Sequence, residues 1–275
     1  IVDGDTHKPL GEIPEAPYTY NVVGNINEHQ VAITETTFGG REELWPKNPV
    51  GGIDYVSLMA LGLQRAKTAR EAIRVMTDLV ARYGYASEGE SLSVADPNEA
   101  WILEMIGKGD SAKSAVWVAV RIPDDCISAH ANQSLIHRFN LKDKKNVMYA
   151  RDVISFARSK GYFKGHDDEF SFSDAFAPAD FSSQRFCEAR VWSLFNHFTT
   201  GMDKYVPFVD GKHIGTSEVM PLYVKPTQLL SLEDVMSAMR DHYENTPFDG
   251  TKDAGSGVWG APYRPSPLTW EHEGK

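Results

Sequence analysis

Between Ser91 and Met105 the chain writes two strands around a single turn, and this meander constrains the elements on either side of it. Ser91-Leu92-Ser93-Val94-Ala95 and Ala100-Trp101-Ile102-Leu103-Glu104-Met105 carry strand-forming residues, and Asp96-Pro97-Asn98-Glu99 places proline at its favoured second turn position. Residues 115–120 and 126–131 supply two further strands. Upstream, Val22-Val23 and Val31-Ala32-Ile33 flank the turn-like Gly24-Asn25-Ile26-Asn27-Glu28. A helix pair separates the two groups. Residues 54–65 are apolar at Val56, Met59, Ala60 and Leu63, and Thr68-Ala69-Arg70-Glu71 forms a capping box. The helix it opens turns Ala72, Val75, Met76, Leu79 and Val80 inward and stops at Gly84. Helices then dominate, over 151–160, 182–200 and 231–242. Strands and helices cluster instead of alternating, which predicts a layered α+β fold and not a doubly wound parallel sheet.

With 275 residues, 41% of them hydrophobic, and no low-complexity linker, the chain is expected to form one domain over 1–275. Its 28 basic against 38 acidic residues argue against a nucleic-acid partner. No apolar stretch approaches the ~20 residues of a membrane span. The two cysteines, Cys126 and Cys187, lack CxxC spacing and form neither a disulfide framework nor a zinc site. Low cysteine content suits the cytoplasm and leaves export open. The chain opens at Ile1 and closes at Lys275 without tail-like composition, so both ends are expected to be cuts through a longer protein.

The standard catalytic signatures fail. Gly255-Ser256-Gly257-Val258-Trp259-Gly260 matches GxGxxG but lacks a strand before it and a helix after it. His166-Asp167-Asp168-Glu169 reads as a solvated charge run, and Asn132-Gln133-Ser134 as a chance sequon. Three polar positions stand out. Ser128-Ala129-His130-Ala131-Asn132-Gln133 runs a small-residue strand into an imidazole and two amides, and an Asn there either donates to a developing oxyanion or ends the strand by an Asx turn. Arg185 lies in the opening turn of its helix, against the macrodipole, beside a stripe of Phe186, Ala189, Trp192 and Phe195 expected to face inward. It is either functional or a cation lying over the core. Thr34-Glu35-Thr36-Thr37-Phe38-Gly39-Gly40-Arg41-Glu42-Glu43 places hydroxyls, a carboxylate and a glycine pair after a strand.

Taken in order, these segments resemble the N-terminal-nucleophile cysteine dipeptidases, the dipeptidase A family to which secernins are related. The resemblance rests on Asn21 to Ile33, Glu35 to Leu44, Tyr83 to Ser91, Ala95 to Glu99, Ser128 to Gln133, Arg185 to Arg190 and Met239 to Tyr243. It implies a four-layer αββα sandwich that hydrolyses dipeptides through a cysteine at the first position of the mature chain, without metal or organic cofactor. The nucleophile's own α-amine, with a reference pKa of about 7.7–8.0, then serves as base. By motif, Asn132 matches the oxyanion-hole Asn of related acylases, Arg185 their arginine near the nucleophile, and Thr37 the place of a second oxyanion contributor. Glu35 and His130 are expected substrate contacts. A homo-oligomer is compatible with the sequence.

No cysteine occupies the start, so the fragment as written is expected to be inactive, with Cys126 and Cys187 structural. The alternatives are another amide hydrolase of the same superfamily, such as an acylase for N-acyl amino acids or bile-salt amides, and a catalytically silent binding relative.

Overall fold

The computed structural model describes residues 2, 7–9, 11–46, 52–109, 113–212, 219–252 and 258–260 of the chain. Seven strands form one antiparallel sheet in sequence order, β1 (Val22–Val23), β2 (Ile26–Asn27), β3 (Ala32–Gly39), β4 (Gly89–Ala95), β5 (Ala100–Gly107), β6 (Ala115–Ile122) and β8 (Val147–Tyr149). The expected first strand pair is a tight β1–β2 hairpin, with β3 as a separate strand beside it. The expected strand at 126–131 contracts to β7 (Ile127–Ser128). It leaves the main sheet to pair with β9 (Tyr223–Val224). Gly255 to Gly257, and everything beyond Gly260, lie outside the described residues.

Side chains alternate across the pleat, so each strand divides its residues between two environments. Ile33, Leu92, Val94, Trp101, Leu103 and Met105 join α1 (Tyr55–Arg65) and α2 (Ala69–Tyr83) in one buried cluster. Phe38, Ile102, Ile106, Val116 and Val118 face the other way. They pack with α3 (Val153–Ser159) and α4 (Phe172–Phe176). Beside that second cluster a third gathers Ala131 and Leu135 with Trp192 and Phe195 of α5 (Ala189–Phe198). Helices α6 (Val206–Val209) and α7 (Leu232–Ala238) complete the described part. None of the helices among the described residues is long and apolar enough to cross a membrane.

The helix boundaries follow local chemistry. The Asp54 carboxylate accepts from the Ser57 N–H at 2.9 Å, and the Thr68 hydroxyl accepts from Glu71 N–H at 3.2 Å. Helix α2 stops where Gly84 takes φ +99°. The end of α1 is closed from outside by Asn27, which is 5% exposed. Its Nδ2 donates to the Leu63 and Ala66 carbonyls at 2.7 Å each, and its Oδ1 accepts from the His29 and Val31 N–H groups at 3.0 Å.

The helix before α5 departs from sequence expectation. Residues Ser183–Glu188 form a π-helical stretch continuous with α5. The wider turn rotates the preceding residues relative to an α-helical stripe. Ala189, Trp192 and Phe195 are buried as expected, but Phe186 swings out to 59% exposure. Gln184 and Glu188 take the inward positions, each 1% exposed.

Replacing Asn27 by Ala leaves two helix carbonyls and two loop N–H groups without their partner. We expect a loss of about 2–3 kcal/mol, read as a lower urea midpoint at unchanged m-value. A shift below about 0.5 kcal/mol would show that water replaces the amide freely.

Candidate active site

The site is organised around a strap, residues 130–137, that crosses the sheet face opposite α1 and α2. Glu104, 0% exposed at the middle of β5, holds it down. Its carboxylate accepts from the Leu135 N–H at 2.6 Å, the Ser134 hydroxyl at 2.5 Å and the Ile136 N–H at 3.2 Å. Ser91 of β4 adds a bond at 3.3 Å. Burial pushes the Glu104 carboxyl up, and these donors pull it back toward the ionised form. On the far side of the strap, Gln133 donates to the Ala177 carbonyl at 2.7 Å and Ser173 to the Ser134 carbonyl at 2.8 Å.

His130 sits at the start of this strap. Its Nδ1 lies 2.6 Å from the Thr36 hydroxyl and its Nε2 lies 2.9 Å from the Ser93 hydroxyl. Burial lowers its pKa to about 4, so the ring is neutral at physiological pH with both nitrogens engaged. Asn132 follows in the left-handed region at φ +57°, a conformation Asn tolerates better than most residues. Its Nδ2 donates to the Thr37 carbonyl at 2.6 Å and its Oδ1 accepts from Arg190 Nη2 at 2.9 Å. Arg190 also donates to the Ala131 carbonyl at 3.1 Å and to the Phe186 carbonyl at 2.8 Å. The Asn132 amide is therefore oriented from both ends, and one of its two N–H donors remains available.

Thr37 is shared between two environments. Its carbonyl meets Asn132, while its hydroxyl donates to Glu90 at 3.1 Å on the α1/α2 face of the sheet. Glu35 lies on that same face, two residues earlier on β3 and diagonal to Glu90 across the β3–β4 ladder. Burial, followed by the hydrogen bond and charge of Glu35, raises Glu90 to about 8, and the Thr37 hydroxyl opposes that rise. Glu90 thus retains a proton near neutral pH. Glu35 and His130 are separated by the sheet, since Glu35 shares the face of Ile33 and His130 bonds the opposite face through Thr36.

Arg185 stands apart from Asn132. Its guanidinium carbon lies 4.4 Å from the Phe248 ring centre and 5.9 Å from that of Phe186. The basic residue beside Asn132 is Arg190, five positions later, which the sequence reading did not single out. Glu104 was also missed, although a lone carboxylate inside Ala100-Trp101-Ile102-Leu103-Glu104-Met105-Ile106 was a signal. A cavity of about 290 Å³ opens between Phe38, Arg41, Asn132, Ala177 and Cys187. A larger one of about 610 Å³, lined by Leu135, His137, Arg138 and Tyr223, contains none of the five expected site residues.

Neither cysteine is activated. Burial, then the charge of Asp125, pushes the Cys126 thiol up. Burial likewise raises Cys187, against the opposing pull of Arg190. Glu188 lies just behind this region, and among the described residues neither of its buried carboxyl oxygens has a hydrogen-bond partner, nor does Gln184 Oε1. Burial, then the charges of Glu104 and Asp174, raises Glu188 to about 8.

This chain matches the family model of peptidase family C69 over residues 1–273, and it belongs to that family. It is similar to a probable dipeptidase of Salmonella dublin, 28% identical over 80% of this chain and 48% of the relative. A probable dipeptidase of Latilactobacillus sakei is 28% identical over 89% of this chain and 48% of its own length. Dipeptidase A of Lactobacillus helveticus is 26% identical over 87% and 48%. The chain spans about half the length of these relatives.

The raised carboxyl at Glu188 fixes a pH dependence of stability. Its folded pKa of about 8 exceeds the unfolded value near 4.5, so the folded state retains a proton that the unfolded state releases. This contribution is complete below the lower value, declines as pH rises and is gone above about 8. We expect Glu188→Gln to flatten the fall in stability between pH 5 and 8 by roughly 2–4 kcal/mol, measured by urea unfolding at both pH values. An unchanged slope would assign the proton elsewhere.

Proposed function

We propose that the whole protein hydrolyses dipeptides, with Asn132 as oxyanion donor and a cysteine outside residues 1–275 as nucleophile. The observation that carries this reading is the Asn132 amide, anchored through Thr37 and Arg190 and lining the 290 Å³ cavity with one donor in reserve. Membership of a peptidase family supports the reaction class, and the names of three relatives support the substrate. Both described thiols are pushed up, chiefly by burial, which favours a nucleophile that brings its own amine. The four-layer αββα sandwich belongs to the same proposal. Its support is the α1/α2 layer over one face of the main sheet and the separate β7–β9 sheet.

In this mechanism the α-amine takes the thiol proton, and the thiolate adds to the scissile carbonyl. The resulting oxyanion accepts from Asn132 Nδ2. Collapse breaks the C–N bond, the proton passes to the departing amine, and a thioester remains. Water then cleaves the thioester, releasing the carboxylic acid and restoring the thiol. Arg190 positions the Asn132 amide, and His130 holds the strap through Thr36 and Ser93. Arg185, which has no carboxylate partner among the described residues, is available to the nucleophile. The Thr37 hydroxyl faces Glu90, so Thr37 serves the oxyanion site through its carbonyl's grip on Asn132. Glu35 stands beside Glu90 on the α1/α2 face, away from the cavity.

Removing one oxyanion donor typically lowers kcat by ~10²–10³-fold. We expect that loss for Asn132→Ala in the full-length enzyme, with an unchanged circular dichroism spectrum. Asn132→Gly, which accepts φ +57° freely, should lose as much, separating the amide from the backbone conformation. Activity within twofold of wild type in the glycine variant would remove Asn132 from the mechanism.

A further inference from the structure

The same cavity contains a cation that the mechanism does not use. Strand β3 ends in a register shift between Thr37 and Gly39, and Gly39 and Gly40 follow at φ +65° and +80°. Gly40 has no room for a side chain. A Cβ there would meet Ile106 Cδ1 at 2.6 Å and the Phe176 carbonyl oxygen at 2.9 Å. This tight passage delivers Arg41 to the segment at Ala175 to Ala177. The Arg41 N–H bonds the Phe176 carbonyl at 2.9 Å, its Nε donates to the Ala175 carbonyl at 2.7 Å, and its guanidinium carbon stands 4.2 Å from the Tyr162 ring centre. The Tyr162 hydroxyl is fixed in turn by Glu43 at 2.9 Å.

Backbone, Nε and ring therefore immobilise this guanidinium while its two terminal nitrogens have no acceptor among the described residues. No carboxylate comes within ion-pair distance of it there, although the side chain is half-buried. A partly desolvated cation without a counter-ion is costly, and an incoming anion removes that cost. The terminal N–H groups of a fixed guanidinium match a carboxylate in bidentate fashion. At about 290 Å³ the cavity lies at the lower limit of ligand pockets, which run from about 300 to 1,000 Å³, and so suits a very small ligand.

We propose that Arg41 is the receptor for the free C-terminal carboxylate of the substrate. This rests on the dipeptidase reading above. A dipeptide has that carboxylate one residue beyond its scissile bond, so a rigid guanidinium sharing a cavity with Asn132 measures substrate length. A longer peptide puts an uncharged amide opposite Arg41 and gains nothing from it.

The test compares kcat/KM of the full-length enzyme for a dipeptide and for the same dipeptide with its C-terminus amidated. Wild type should favour the acid by about 10²-fold, the worth of one bidentate charge-assisted contact. Arg41→Ala should lose about that factor on the dipeptide, chiefly through KM, and stay within about threefold on the amide. Arg41→Lys keeps the charge and the stem but not the fork. It should fall between the two, and it carries the test if the alanine variant does not fold. A wild-type enzyme that treats acid and amide alike overturns the proposal, as does a variant that loses equally on both. An enzyme that cleaves neither substrate overturns the dipeptidase reading itself.

Discussion

A carboxylate in the middle of a β-sheet holds the rest of this site in place. Glu104 sits among Ile102, Ile106 and Val118, where an unpaired charge would cost several kcal/mol. It is accommodated because the strap brings two N–H groups and a hydroxyl to it, and β4 brings another hydroxyl. Dependence runs both ways. The strap has no strand ladder over residues 130–137, so its backbone donors need an acceptor, and Glu104 is that acceptor. With Ser134 to Ile136 fixed, Asn132 and His130 reach β3 at hydrogen-bond distance, 2.6 Å to the Thr37 carbonyl and 2.6 Å to the Thr36 hydroxyl. Electrostatics in the sheet core thereby becomes geometry at the cavity.

The sheet itself keeps two polar systems apart. On the α1/α2 face, Glu35, Thr37 and Glu90 form a carboxyl pair with one hydroxyl. On the opposite face, Thr36, Ser93 and His130 form a neutral imidazole bridge between two hydroxyls. One backbone position joins them, since Thr37 sends its hydroxyl to the first system and its carbonyl to the amide beside the second. Glu90 thus lies one residue of β3 away from Asn132 without touching it.

Much of the framework was legible in the sequence because it rests on short-range rules. The Thr68–Glu71 cap and the Asp96–Glu99 turn depend on neighbours within four residues and lie where their patterns place them. Helix α2 buries Ala72, Met76 and Val80 of its expected stripe, with Ile73 and Thr77 buried more fully than Val75 and Leu79. The second half of the Asn132 segment was not legible in that way. Residues 126–131 have the composition of a strand but contract to two paired residues, because the pairing partner is Tyr223–Val224, nearly a hundred positions away. Phe186 misled for a different reason. Its stripe assumed 3.6 residues per turn, and a π-helical stretch breaks that period without any marker such as proline or glycine. The resemblance to a peptidase family pointed to Asn132 and Arg185 by motif alone. That Arg190 grips Asn132 depends on helix phase and on a contact across 58 positions, beyond the reach of local pattern.

The same π-helical stretch shows what the cavity costs the fold. A core built by burial alone would take Phe186 inward and leave Gln184 and Glu188 to solvent, a pattern favoured by a few kcal/mol. Instead Gln184 and Glu188 are turned inward with three oxygen atoms unpartnered among the described residues, and Glu188 retains its proton near neutrality as the cheapest remedy. In return, the rotation sets Cys187 at the cavity wall and lets Arg190 reach across to Asn132 while its Nε closes on the Phe186 carbonyl. Local rules broken together, on one turn of helix, beside the one amide that both Thr37 and Arg190 orient, mark the place where packing has yielded to chemistry. The small cavity beside Asn132 borders this turn of helix, whereas none of its residues lines the larger cavity at His137 and Arg138.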